Sequence, residues 1–315
     1  DFLGKYRGAV EGPPRPCMAC NDGCLGGVKS GEGLGCVINP AVGRDVDIQV
    51  DPAGETREFA VVGGGPAGLS AAETLADRGH DVTLFEPDAI GGQFHYAPFP
   101  PGKEPLRKGI EYFADRIDAS DNVEIREHAA QPADVAGFDG VIVATGSDPI
   151  EPPIDGLDAV DPDGVEVLAP ERTPTDERVM VIGGGYVGLE AADTLAAADN
   201  EVIVVELLSN LGGDMIDLEK GPLLARLQAN DRVELDPETD LDRVDGERAI
   251  ATRGDTEVAW EGIDRYVLAT GVSSDDAFLE AAADLDVPLY PVGDADAVGK
   301  AQDAIETGFE VARTL

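Results

Sequence analysis

A chain of 315 residues with 43% apolar content is long enough for two ordinary domains and a connecting piece, each with its own core. No run approaches the ~18–20 consecutive apolar residues that span a bilayer, and the opening DFLGKYRGAVEGPPRPC lacks the layout of a signal peptide, so the expectation is a cytoplasmic protein that meets no membrane. The 63 acidic residues against 23 basic ones give a formal charge of −40 and exclude nucleic acid as a partner, because no basic stripe exists to release phosphate counterions.

The acids are dispersed, as in RVELDPETDLDRVDGE, which marks a solvated surface. The reading is a halophilic protein of a salt-rich cytoplasm, since at ~1 M salt a screening length of ~3 Å weakens self-repulsion. An acidic protein from an ordinary cytoplasm is the alternative.

The chain opens at Asp1 without an initiator Met, and its first residues read as a short helix remnant running into a Pro-rich turn. That predicts an N-terminal domain upstream. All four cysteines follow at once, as Cys17, Cys20, Cys24 and Cys36, in a C-x2-C-x3-C-x11-C pattern. Disulfides fit poorly with a confined cluster and no export signal. Structural zinc usually takes two C-x2-C knuckles, whereas Cys24 and Cys36 form no second knuckle and no histidine lies nearby. The spacing favours an iron-sulfur cluster over zinc, and Gly23, Gly26 and Gly27 would bring backbone N–H groups towards its sulfurs.

Residues 59 to 86, FAVVGGGPAGLSAAETLADRGHDVTLFE, read as strand, glycine turn, Ala-rich helix and second strand ending in an acid. In this βαβ unit Gly63 makes the tight turn, Gly65 lets the backbone approach a pyrophosphate, and Gly68 lets helix and strand pack closely. Glu86, 18 positions after Gly68, is the expected acceptor for a ribose hydroxyl. His95, just beyond, is read as a packing residue, and no acid–base catalyst is assigned.

The unit recurs without a gap at an offset of 120, as VMVIGGGYVGLEAADTLAAADNEVIVVE over residues 179 to 206, so Gly183, Gly185, Gly188 and Glu206 repeat the first four. VIVATG, ending at Gly146, and YVLATG, ending at Gly271, each predict a strand before a small-residue turn. LYPVGDADAVGKAQDAIETGFEVARTL predicts a strand, an exposed Gly293–Asp294 pair and a helix. Asp294 would bond a flavin ribityl hydroxyl. The order of the pieces implies a discontinuous FAD domain with the NAD domain looped out, crossing at Pro149, Pro152 and Pro153 and returning between Ser273 and Pro288. The expected boundaries are 1–55 for the cysteine segment and linker, 56–152 with 286–315 for the FAD-binding domain, and 153–285 for the NAD(P)-binding domain. The fold class is therefore α/β, with two tandem Rossmann-like domains.

Taken together, RPCMACNDGCLGGVKSGEGLGCVINPAVGRD, the glycine fingerprints, GGQ at 91 to 93 and VGD at 292 to 294 resemble the C-terminal two-thirds of the 2,4-dienoyl-CoA reductase, 2-enoate reductase and trimethylamine dehydrogenase family. The resemblance implies a [4Fe-4S] cluster on Cys17, Cys20, Cys24 and Cys36, and FAD against Gly91, Gly92 and Gln93. It also implies FMN and the substrate-protonating residues in an N-terminal barrel that is missing here. Hydride would pass from NADH to FAD and electrons singly to the cluster, then to FMN in the barrel, for reduction of an enoate or enoyl-CoA small-molecule substrate. The spacing between Cys20 and Cys24 leans towards the reductase branch over the amine dehydrogenase or demethylase branch. NADH is favoured over NADPH because Glu206 would repel a 2′-phosphate and no Arg follows it. A disulfide reductase is disfavoured because no cysteine follows Cys36. A non-catalytic nucleotide-binding docking module remains as the reading from another class, and oligomerisation is left open.

Overall fold

The computed structural model describes residue 7, residues 13–44 and residues 48–315. The expected helix remnant at the start of the chain lies outside these. Two compact units form: one from the described residues up to Ala97 with Pro105–Asp148 and Ser273–Leu315, the other from Pro98–Glu104 with Pro149–Val272.

In chain order, the first unit begins with the cysteine segment, a π-helical turn over Asp22–Gly26 followed by α1 (Gly27–Ser30). Met18, Val37 and Ile38, buried in the core of the unit, root this segment at both ends. Its glycines serve close packing: a Cβ at Gly27 would meet the Gly33 carbonyl, and one at Gly23 would strike the Gln302 side chain. The N–H of Gly26, expected to face a sulfur, instead donates to the Asn21 carbonyl at 2.8 Å and closes the turn.

The nucleotide fold follows, with β1 (Glu58–Val62), α2 (Pro66–Asp77), β2 (Asp81–Phe85), α3 (Arg107–Asp118), β3 (Val123–Arg126), α4 (Pro132–Val135), β4 (Gly140–Val143) and β5 (Ser147–Pro149). Proline suits the first position of α2, where its missing N–H would have had no helical partner, and Gly79 in the left-handed region stops the helix.

The second unit contains β6 (Arg178–Ile182), α5 (Tyr186–Ala197), β7 (Glu201–Val205), α6 (Asp217–Gln228), β8 (Val233–Asp236), β9 (Thr239–Asp245), β10 (Arg248–Arg253), β11 (Thr256–Trp260) and β12 (Arg265–Leu268), and β13 (Val272–Ser274) marks the return, its first residue in this unit and its other two in the first. Its parallel sheet runs β12-β6-β7-β8. Alternation decides the layers: Met180, Ile182, Ile203 and Val205 face the antiparallel β9-β10-β11 meander, while Val179, Val181, Val202 and Val204 face the helices.

The chain then returns to the first unit as α7 (Ala277–Ala282), β14 (Leu289–Pro291) and α8 (Ala301–Ala312). β14 completes a parallel sheet of order β14-β4-β1-β2-β3. α8 lies against α2 so closely that a Cβ at Gly308 would strike the Ala67 carbonyl. Among the described residues no helix is long and apolar enough to cross a membrane.

Candidate functional site

Both glycine turns are built alike. Gly63 and Gly183 have φ of 103° and 109°, and a Cβ on either would collide with the carbonyl of Ala144 or Ala269, the residue that follows the next parallel strand. A Cβ at Gly68 or Gly188 would strike the carbonyl of Gly63 or Gly183, so the helix can approach its strand only with glycine there. The two terminal acids serve the turns in the same way. Glu86 accepts from the Gly64 N–H at 2.6 Å and the Asp88 N–H at 3.0 Å; Glu206 accepts from Gly184 at 2.6 Å and Leu208 at 2.7 Å. Each carboxylate therefore clamps its own glycine loop.

In the first unit, residues distant in sequence converge. Gly91, at φ 119°, donates to the Gly64 carbonyl at 2.8 Å, which lays the GGQ loop on the glycine turn. Gln93 Nε2 donates to the Ser147 carbonyl at 2.9 Å, Ser147 Oγ to Asp294 Oδ2 at 2.9 Å, and the Gly299 N–H to Asp294 Oδ1 at 3.0 Å. The GGQ loop, the turn at Gly146 and the Gly293–Asp294 pair thus form one continuous edge beside the start of α2. Ser147, the middle member, was not singled out by sequence. A Cβ at Gly65 would meet nothing within 4 Å, so the space before the helix is open to a phosphate. These residues fit a bound FAD. His95 is exposed and its ring stands edge-on to Tyr96.

The second unit carries a cluster that the sequence did not announce. Lys103 Nζ lies 2.8 Å from Tyr186 Oη, 2.8 Å from Glu219 Oε2 and 3.1 Å from Glu190 Oε1, and the Tyr186 hydroxyl also donates to Glu219. Burial pulls the Lys103 ammonium down, yet Glu190 and Glu219 together raise it above its ordinary value. Burial pushes the Glu190 carboxyl up to about 7 in spite of Lys103. Both groups are raised, which favours the charged form of the lysine and the neutral form of the carboxyl. Glu190 is the more enclosed of the pair with Lys103, and its Oε1 has no aligned hydrogen bond, which leaves its charged form poorly satisfied. Gly271 ends its strand with φ 95°, as Gly146 does with 87°.

The four thiols are free, Cys17 exposed and Cys20, Cys24 and Cys36 partly buried. Burial raises the Cys20 thiol, and the proximity of Cys36 and Cys24 adds to the rise. The donor set is all thiol and suits iron and sulfide chemically. Among the described residues, no three His, Cys, Asp or Glu side chains are gathered closely enough for a single metal ion.

The model of the pyridine nucleotide-disulphide oxidoreductase family matches residues 57–293. The chain is 34% identical to an NADH oxidase of Thermoanaerobacter brockii over 99% of its own length and 51% of the relative's. It is 30% identical to a cinnamate reductase of Clostridium sporogenes over 96% of its length and 46% of the relative's. Its fold superposes on a 2-naphthoyl-CoA reductase complex with a TM-score of 0.87 at 27% identity, covering 95% of this chain and 46% of that one. The chain spans about half the length of the curated relatives it matches, less than the two-thirds expected. No cysteine lies within the matched region. These relatives are those that the resemblance to the FAD/NAD part of the dienoyl-CoA reductase-like family called for. The chain belongs to the pyridine nucleotide-disulphide oxidoreductase family.

Proposed function

We propose that this chain is the electron-input part of an NAD(P)H-dependent iron-sulfur flavoprotein reductase, with FAD on the first unit, NADH on the second and a [4Fe-4S] cluster on Cys17, Cys20, Cys24 and Cys36. Bound flavin supplies a ring that accepts two electrons as hydride and releases them singly, which a one-electron cluster requires. The observation that carries the reading is the Gln93–Ser147–Asp294 chain beside the open mouth of α2.

In this reading the protein binds and orients. The start of α2 takes the FAD pyrophosphate, Glu86 takes its ribose, and Asp294, fixed by Ser147 and Gly299, takes the ribityl chain. The start of α5 and Glu206 do the same for NADH. The thiol-only donor set supports the cluster, since a body of several irons and sulfides is broader than one ion and takes ligands spaced further apart. The names of the relatives support an α,β-unsaturated acyl acceptor, such as an enoate or enoyl-CoA. It would be reduced in an FMN barrel corresponding to the part of those proteins that this chain does not span.

Protein reconstituted anaerobically with iron, sulfide and FAD is expected to be yellow-brown and to bleach on addition of NADH. Colourless protein would overturn the reading. Yellow protein with no iron-sulfur absorbance would remove the cluster and leave the flavin.

A further inference from the structure

The two glycine turns share their four glycines and differ at two positions, Pro66 against Tyr186 and Ala67 against Val187. In the first unit the space before Gly65 is open, and the next residue, Pro66, has no N–H. In the second unit a Cβ at Gly185 would meet the Asp214 carboxylate first, both oxygens at 3.6 Å. Tyr186, in the place of Pro66, donates its backbone N–H to that carboxylate, 2.9 Å to Oδ1 and 3.1 Å to Oδ2.

Helical bonding in α5 starts with the Leu189 N–H on the Gly185 carbonyl at 3.0 Å, so the Tyr186 N–H is one of the donors that a helix cannot satisfy from within. Such donors, with the positive end of the helix dipole, are what a dinucleotide pyrophosphate uses in a βαβ fingerprint. A carboxylate has the same sign of charge and the same capacity to accept.

The loop that delivers Asp214 is the repeat of the GGQ loop. Gly212 donates to the Gly184 carbonyl at 2.7 Å, as Gly91 does to Gly64 at 2.8 Å. Two positions after the glycine that makes this bond stands Gln93 in the first unit and Asp214 in the second. The amide of Gln93 turns to Ser147, whereas Asp214 turns back onto the helix mouth.

We infer that Asp214 is a tethered stand-in for the pyrophosphate, which holds the anion position of α5 when no nicotinamide dinucleotide is bound, gives way when one arrives, and so sets its affinity. The inference rests on the proposal that the second unit holds that dinucleotide. It explains the asymmetry between the turns. A flavin retained through many turnovers gains nothing from a competitor in its phosphate site, whereas a nicotinamide that must leave each cycle is released more readily when a side chain is ready to replace it.

The test is titration of NADH, ADP-ribose and adenosine into the FAD-loaded full chain and its Asp214→Asn and Asp214→Ala variants. Asparagine caps helices as well as aspartate does, so that variant keeps the fold if alanine does not. NADH and ADP-ribose are expected to bind on the order of tenfold more tightly to Asp214→Ala, equivalent to about 1.4 kcal/mol, with Asp214→Asn in between. Adenosine, which carries no phosphate, is expected to be unmoved. Unchanged or weaker NADH binding by the variants, or an equal gain for adenosine, would overturn the inference. If the unmutated chain and both variants bind neither NADH nor ADP-ribose, the assignment of the second unit has failed instead.

Discussion

Arg15 donates to Glu73 at 2.7 Å and, through its other terminal nitrogen, to the Ile38 carbonyl at 2.6 Å. One guanidinium beside Cys17 thus reaches past Cys36 and ties both ends of the cysteine segment to α2. Glu73 is 3% exposed and also holds the Tyr112 hydroxyl at 2.6 Å and Arg116 at 3.0 Å.

Arg15→Ala is expected to cost about 2 kcal/mol. That lies between the ~0–1 kcal/mol of a surface pair and the ~3–5 kcal/mol of a broken buried one, because Arg116 stays on Glu73. Urea titration measures the loss, and alkylation of the metal-free protein is expected to label Cys36 faster. Unchanged labelling would show that Arg15 does not hold the segment.

Gly65 and Gly68 separate ligand space from protein space. Gly65→Ala meets no protein atom within 4 Å, so the flavin-free melting temperature is expected to hold while FAD content falls. Gly68→Ala places a methyl on the Gly63 carbonyl and is expected to lose about 1–3 kcal/mol or more without any ligand. Equal stability of the two variants would refute the distinction.

Glu206→Ala removes the acceptor for the ribose and the clamp on the Gly184 and Leu208 N–H groups at once. NADH efficiency is expected to drop about tenfold, as for a lost hydrogen bond to a charged group, and any preference over NADPH to narrow. Steady-state kcat/KM for both coenzymes decides this, and equal efficiencies in the unmutated protein would remove its basis.

How far the sequence reached is clear at these positions. The turns, strands and acids could be read because one βαβ unit follows local rules and occurs twice. The place of Asp294, though not its role, could be read because a Gly-Asp pair follows a strand. Ser147, Lys103, Arg15 and Asp214 could not, since each acts on a partner far along the chain and none sits in a periodic pattern. Asp214 left one faint signal: aligned on the loop glycines, it faces a glutamine in the other copy.

Burial pushes the Glu190 carboxyl up to about 7 in the folded chain, from the ordinary 4.5 of an exposed glutamate. The folded state therefore keeps a proton that the unfolded chain has lost, and stability falls as pH rises from about 4.5 to about 7, then levels. Glu190→Gln is expected to flatten that part of the profile. Melting temperatures of both proteins between about pH 5 and pH 8 test this, and parallel curves would count against it.

With 63 acids and 23 bases, self-repulsion should limit stability in dilute buffer. Molar KCl is expected to raise the melting temperature by screening it. A melting temperature indifferent to KCl would remove the halophile reading.

β14 and Asp294 close a sheet and an edge whose other parts, β4, Gln93 and Ser147, precede Pro149–Val272, the main run of the second unit. During synthesis the inserted domain is complete and free to fold while its host still lacks a strand. The growing chain must therefore carry an unfinished, open-edged sheet until the ribosome has delivered the returning segment with β14 and Asp294, and that edge is complete only after that.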